Sequence, residues 1–161
     1  MMSFPGVVLQ GILARAALVV LRVYLGVIFL LMALPKVQGD FTSRFMSFLE
    51  QVALQKAHPF YQEFVQAVVV PSASIFASLV SWGELLVGIS LILGLLTRVS
   101  AVVALLLVLN QLLAQGEWFW TPYSHDAAYF AIALALLIGA AGRTLGIDAF
   151  LARRWPRAPF W

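Results

Sequence analysis

Residues 74–96 read SIFASLVSWGELLVGISLILGLL, an apolar run broken by a single carboxylate, Glu84. A helix needs about 20 predominantly apolar residues to cross roughly 30 Å of hydrocarbon, and this run meets that length. Pro71, just upstream, fits either the first turn of such a helix or a break from the preceding VQAVVV, since proline is tolerated early in a helix and disfavoured later. One ionisable group inside an otherwise apolar span marks a polar centre that needs a partner.

Working outward, residues 12–34 form a second apolar run of spanning length that carries Arg15 and Arg22. Its N-terminal flank, MMSFPGVVLQG, lacks the basic region of a secretory signal, so the run is expected to be retained as a span. Residues 100–115 are shorter and reach spanning length only with Trp118, Phe119 and Trp120 at the interface, where aromatic side chains commonly sit. Residues 122–141, PYSHDAAYFAIALALLIGAA, place Ala127, Ala131, Ala135 and Gly139 at i+4, a narrow face suited to close helix approach. The fold predicted from these runs is all-α: a single membrane-embedded, antiparallel four-helix bundle over residues 1–161, both termini on one side.

Composition agrees with a membrane solvent. Apolar residues make up 63% of the 161 and charged residues 11%, too few to cover so small a sphere in water. The chain has no cysteine, which excludes disulfide scaffolds, thiolate metal sites and cysteine nucleophiles; no metal site is expected. A net charge of +3 is too thin a field for nucleic acid. Arg15, Arg98, Arg143, Arg153, Arg154 and Arg157 fall on the terminal side; Lys36, Arg44 and Lys56 fall on the other, with Asp40, Glu50, Glu63 and Glu117. The positive-inside rule then predicts cytoplasmic termini.

The segment 35–73 is the one long connection. Phe41, Phe45, Phe48, Leu49, Val52 and Leu54 are spaced for an amphipathic helix that lies on the outer interface or caps the bundle, and His58-Pro59 is expected to end it. A reentrant element around 64–70 stays open. At the other end, Phe150, Leu151 and Trp155 beside Arg153, Arg154 and Arg157 predict an interfacial tail that meets anionic headgroups.

Depth arithmetic singles out two charges. Arg22 lies about 18 Å below the outer end of the first run, and Glu84 about 15 Å below that of the second, at about 1.5 Å per residue. The two are therefore expected to meet near the midplane, either as a structural ion pair or within a ligand or proton site. Asn110 and Gln111 add amides in the outer half of the third run, and His125-Asp126 enter the fourth from outside, with Asp126 capping its helix or neighbouring Lys36. The two histidines, His58 and His125, both fall on the outer side, which leaves a transmembrane bis-histidine haem unsupported. No Rossmann glycine fingerprint, P-loop, G-x-S-x-G or H-E-x-x-H pattern is present. Redox chemistry would need a diffusing carrier such as quinone, or a partner's cofactor.

Several stretches match one family in order. Leu21-Arg22-Val23-Tyr24-Leu25-Gly26-Val27-Ile28-Phe29 and Pro35-Lys36 resemble the first-span arginine, glycine, phenylalanine and exit lysine of the DoxX family of small bacterial membrane proteins. Gly83-Glu84-Leu85-Leu86-Val87-Gly88 and Gly94-Leu95-Leu96-Thr97-Arg98 resemble its glutamate, following glycine and G-L-x-T-R turn. Phe119-Trp120 and Gly142-Arg143-Thr144-Leu145-Gly146-Ile147-Asp148 complete the likeness, which covers about 18–155. It implies a multi-pass protein of the bacterial inner membrane, working beside membrane redox or stress-response enzymes, with Arg22, Glu84 and Asp126 in a shared polar site.

The leading expectation is an accessory subunit or organiser of a redox-linked membrane complex, partnered by the bilayer and by other membrane subunits, with no intrinsic cofactor. An alternative is a quinone-reactive subunit of a thiosulfate:quinone-type oxidoreductase. Arg22, Glu84 and Asp126 are its candidate catalytic residues, and Arg22, Tyr24, Trp82, Glu84 and Asn110 its candidate quinone pocket. A small-solute transporter is the third class, without a visible inverted repeat. Whether the chain is itself an enzyme is open at this level.

Overall fold

The computed structural model describes residues 5–139 and 141–155; the first four residues of the N-terminal flank and Arg157 of the basic tail lie outside the described residues. Helix α1 (Pro5–Val37) is the first described element. Its 33 residues extend for about 50 Å. A short turn through Gly39 leads to α2 (Phe41–Phe48), whose N-cap Asp40 accepts from the Ser43 backbone N–H at 3.2 Å and from its hydroxyl at 2.6 Å. α2 runs on through a wide π-type turn, Leu49–Ala53, into α3 (Leu54–Lys56).

The chain breaks at Ala57 and His58, both extended ahead of Pro59, because proline disfavours the α conformation of the residue before it. From Pro59 it is helical without interruption: α4 (Pro59–Phe64), a π-type turn (Val65–Val69), a 3-10 turn around Pro71 (Val70–Ser72), and α5 (Ala73–Leu93). Pro71 is thus absorbed by a tightened turn. The 64–70 stretch is the outer extension of α5, and the span that residues 74–96 suggested begins 15 residues earlier.

α5 stops at Gly94, whose φ of +64° closes the helix with Leu95 N–H bonded back to the Ser90 carbonyl at 3.0 Å. Next come α6 (Thr97–Gln115), α7 (His125–Ile138) and α8 (Ile147–Arg154). Ser124 caps α7, and its side chain accepts from Ala127 N–H.

This arrangement corrects the expected simple antiparallel four-helix bundle. Six continuous helical stretches are present among the described residues, and three are long and apolar enough to cross a membrane: Gln10–Val37, Pro59–Leu93 and Thr97–Gln115. α7 has only 14 residues, about 21 Å, short of the hydrocarbon thickness. The fourth apolar run yields a shorter helix because Pro122 and Tyr123 are spent in a turn, Tyr123 at φ +65°, and the helix ends before Gly139. α7 packs on α6 and α1, with Gly139 against the Leu18 side chain.

Two apolar clusters fill the interior. One, built on Leu25, Phe29, Leu91, Ala104, Leu112 and Leu136, joins α1, α5, α6 and α7. The other, built on Leu49, Ala53, Tyr61, Val65, Val69 and Ala114, seats the 41–73 helices on the loop-side end of α6. The connecting segment therefore covers the bundle end rather than floating on the interface. Outside, Leu31, Leu79, Leu86, Leu106 and Ile138 are exposed, the inverse of a water-soluble surface and the pattern that acyl chains cover.

Candidate functional site

α1 and α5 meet at two glycines. A Cβ at Gly88 would lie 2.8 Å from the Leu30 backbone nitrogen and 3.0 Å from the Gly26 carbonyl; one at Gly26 would meet Ile92 and Gly88 as closely. This backbone contact sets the antiparallel register. Arg22, Leu25, Phe29, Ala33 and Lys36 share one face of α1 at i+3/i+4, and Ala77, Ser81, Glu84, Gly88 and Leu91 share one face of α5.

With Gly88 opposite the 26–30 turn, Arg22 falls level with Gly94, ten residues and about 15 Å from Glu84 along the axis. The expected Arg22–Glu84 pair does not form. Glu84 instead receives Lys36, whose Nζ lies 2.6 Å from both carboxylate oxygens. Helical side chains lean toward their own N-terminus, so in antiparallel neighbours Lys36 and Glu84 lean toward one another across the crossing. The depth arithmetic failed because it started both helices at one level, whereas the outer part of α5 projects beyond the end of α1.

Arg22 is a clamp at the terminal-side end. It is 2% exposed, and its guanidinium donates to the carbonyls of Ala141 at 3.1 Å, Thr144 at 3.3 Å and Leu145 at 2.9 Å. Beside it the fully buried Asp148 carboxylate accepts from the backbone N–H groups of Leu96 at 2.7 Å and Thr97 at 2.8 Å. Leu96, at φ +49°, has no capping side chain of its own, so Asp148 caps α6 from across the fold. Arg22 and Asp148 together bind the 141–148 segment to the ends of α5 and α6.

Toward the loop side, a cavity of about 220 Å³ opens between α1, α5, α6, α7 and the 41–73 helices. Phe29, Phe45 and Phe76 give it apolar walls, and Lys36, Glu84, Asn110 and Asp126 bring polar groups into it. Tyr61 hydroxyl donates to Asn110 Oδ1 at 2.6 Å, and Gln115 amide donates to Asp126 Oδ2 at 2.7 Å. Glu84, Asp126 and Asn110 are thus brought to one cavity and Arg22 is left out of it. Tyr24 is half exposed beside Tyr129, and Trp82, 54% exposed, lies outside this cavity, between an outer groove and a small cleft beside Lys36. Sequence reasoning did not pair Lys36 with Glu84, nor assign a role to Tyr61; the signal for Lys36 was its i+3 place after Ala33 on the buried stripe of α1. Among the described residues no group of histidine and carboxylate side chains could hold a metal.

Residues 17–115 match the DoxX family, from the turn before Arg22 through the end of α6, well over half of the chain. The chain belongs to the DoxX family. No curated protein and no solved structure matches it. Membership supports a general accessory or organising role in membrane redox complexes, in contact with the bilayer and other membrane subunits, and an association with quinone-linked systems. Family and spans together support a multi-pass location in the bacterial inner membrane. The matched region contains both poles of this DoxX protein, the Arg22 position and the Lys36–Glu84 pair, but ends before Asp126 and Asp148.

Proposed function

We propose that this DoxX protein is an accessory subunit of a redox-linked membrane complex and that its loop-side cavity receives the headgroup of a quinone. The observation that carries the reading is the Lys36–Glu84 ion pair at the edge of a phenyl-walled cavity of about 220 Å³. Ligand sites of this kind combine mostly apolar walls with a few convergent polar groups. The residues fit such a headgroup by chemistry: Lys36 ammonium donates to a carbonyl oxygen, Glu84 or Asp126 carboxylate accepts from a hydroxyl, and Tyr61 and Asn110 form a further polar edge. Phe29, Phe45 and Phe76 exclude water from the ring. A bound quinone supplies two-electron, two-proton carrier chemistry; the chain orients it and holds charge near its oxygens, and the electron source belongs to a partner protein.

Arg22 and Asp148 are assigned to assembly of the fold, and Tyr24 and Trp82 lie outside the cavity. The test is isolation from the native membrane with partners, followed by quinone extraction. The wild type should retain a defined partner and quinone; K36M/E84Q should retain the partner and lose the quinone. A chain isolated without partners would overturn the accessory role, and unchanged quinone content in the double variant would overturn the cavity assignment.

A further inference from the structure

A second hollow, a cleft of about 180 Å³, lies on the loop side of the ion pair. Its surface is mainly polar, in contrast to the cavity: Asp40, Thr42, Ser78 and Ser81 with the backbone of Gly39 line it, beside Ala77 and Trp82. The two hollows share two lining residues, Lys36 and Phe41. Lys36 Nζ sits 5.4 Å from the Phe41 ring centre, and its side chain is 21% exposed, against 8% for Glu84. The ammonium therefore stands between the polar cleft and the buried carboxylate, with a ring beside it.

Phe41 is held in that position from several directions. It is the first residue of α2, fixed by the Asp40 cap. Arg44 lies over its ring at 5.9 Å and donates to the Pro35 carbonyl at 2.6 Å, tying α2 to the end of α1. Toward the termini, Leu25, Phe29, Val87 and Leu91 close the space beneath the ion pair, each 3% exposed or less. The polar cleft and the cavity thus lie above Glu84, and the interior below it is close-packed.

We propose that Lys36 and Phe41 form an aqueous port through which Glu84 exchanges protons with the phase on the loop side of the membrane. Lys36 passes a proton from its ammonium to the Glu84 carboxylate, leaving a neutral amine and a carboxylic acid; a hydronium proton from the loop-side phase, relayed by cleft water, then restores the ammonium, for a net uptake of one proton. The groups that set the charge Glu84 feels are Lys36 of α1 and Asp126 of α7, and Asp126 in turn faces Gln115, Glu117, His125 and Lys36. Protons required at the cavity accordingly come from the loop side, whatever ligand the cavity takes.

The absence of native cysteine makes single-cysteine reporters clean. Ser78 lines the cleft and Val80 the cavity, two residues apart on α5. In sealed vesicles of known orientation, a membrane-impermeant cationic thiosulfonate added on the loop side should label S78C rapidly. It should label V80C slowly, and at least about tenfold faster once F41A or the milder F41L is added. V80C labelling that is equal from the two sides, or indifferent to both Phe41 variants, overturns the port.

A pH step imposed on one side of the same vesicles, read by the infrared carboxyl band that E84Q abolishes, tests the proton path without any Phe41 variant. The band should follow loop-side pH. A band that follows the terminal side instead overturns the path. No quinone takes part in either measurement, so loss of the quinone reading leaves the port standing and the reverse also holds.

Discussion

Lys36 Nζ contacts both carboxylate oxygens of Glu84 at 2.6 Å, across the α1–α5 crossing and at the wall of the cavity. Such short, charge-assisted contacts in low dielectric make each partner costly to remove alone, because the other is left as an unpaired ion. K36M or E84Q singly should lower unfolding stability in mild detergent by about 3–5 kcal/mol, and K36M/E84Q by clearly less than their sum. A double-mutant cycle should return a coupling of about 1–3 kcal/mol. Strict additivity would show that the pair is not coupled in the folded protein.

Arg22 and Glu84 should behave independently. They lie about 15 Å apart along the axis and share no partner, so R22M and E84Q should add within about 0.5 kcal/mol. Arg22 and Asp148 should not add, since both secure the 141–148 segment and their charges interact. D148A alone removes the cap of α6, a loss of about 1–2 kcal/mol. Thermal unfolding of the three single variants and the two doubles measures this, and coupling between Arg22 and Glu84 would contradict the register set by Gly26 and Gly88.

How much was legible follows from what each signal encodes. Apolar run length and the pre-proline restriction are local, and they identified the membrane solvent, the helical content and the break at His58-Pro59. Family resemblance, carried by Arg22, Glu84 and the G-L-x-T-R turn at Gly94–Arg98, pointed to the DoxX family. Register between helices is not local: it depends on where α5 begins, and Pro71 hid that start by reading as a boundary when a 3-10 turn carries the helix through it. The Lys36–Glu84 pairing was lost with it. α7 was overcounted because apolarity continues through residues that turn geometry removes from the helix. Asp148 was visible as a residue, but its role depends on Leu96 lacking a cap, a fact of tertiary structure.

The glycines of α5 should differ sharply in tolerance. A Cβ at Gly88 would press on backbone atoms of Leu30 and Gly26 at about 3 Å, contacts that rigid helices cannot relieve. At Gly83 the nearest atom is the Leu107 Cδ1 at 3.6 Å, an ordinary contact. G88A should therefore cost about 1–3 kcal/mol or more through overpacking. G83A should be neutral, or stabilising by up to about 1 kcal/mol through helix propensity. Equal effects in a denaturation series would contradict the close crossing.

The cap of α2 should carry a pH dependence. Hydrogen bonds from the Ser43 hydroxyl and backbone N–H, with a smaller contribution from Arg44, hold the exposed Asp40 carboxyl below its ordinary value. A folded-state pKa below the unfolded one gives stability that is present above the unfolded value, near pH 4, and lost as pH falls through the folded value. Amide exchange of residues 41–48 should accelerate below about pH 4 relative to the α5 core. In D40N, which keeps a capping oxygen without the titration, that acceleration should be absent. An unchanged pH profile in D40N would remove Asp40 as the cause.

The orientation of the chain decides which phase the cleft faces. Basic residues predominate on the terminal side, with Arg98, Arg143, Arg153 and Arg154 around the α5–α6 turn and α8, and the positive-inside rule predicts that this side is cytoplasmic. Ser47 on α2 and Arg153 on α8 are both exposed and lie at opposite ends of the bundle, which makes them a pair of reporters. S47C should react with an impermeant thiol reagent in intact spheroplasts, and R153C only in inverted vesicles. Because the 41–73 helices are seated on the end of α6 by the Leu49, Ala53, Tyr61 and Val65 cluster, Ser47 and the cleft report the same side. Labelling of S47C in inverted vesicles alone would reverse the orientation and direct the port to the cytoplasm, while leaving the Lys36–Glu84 pair and the cavity geometry as they are.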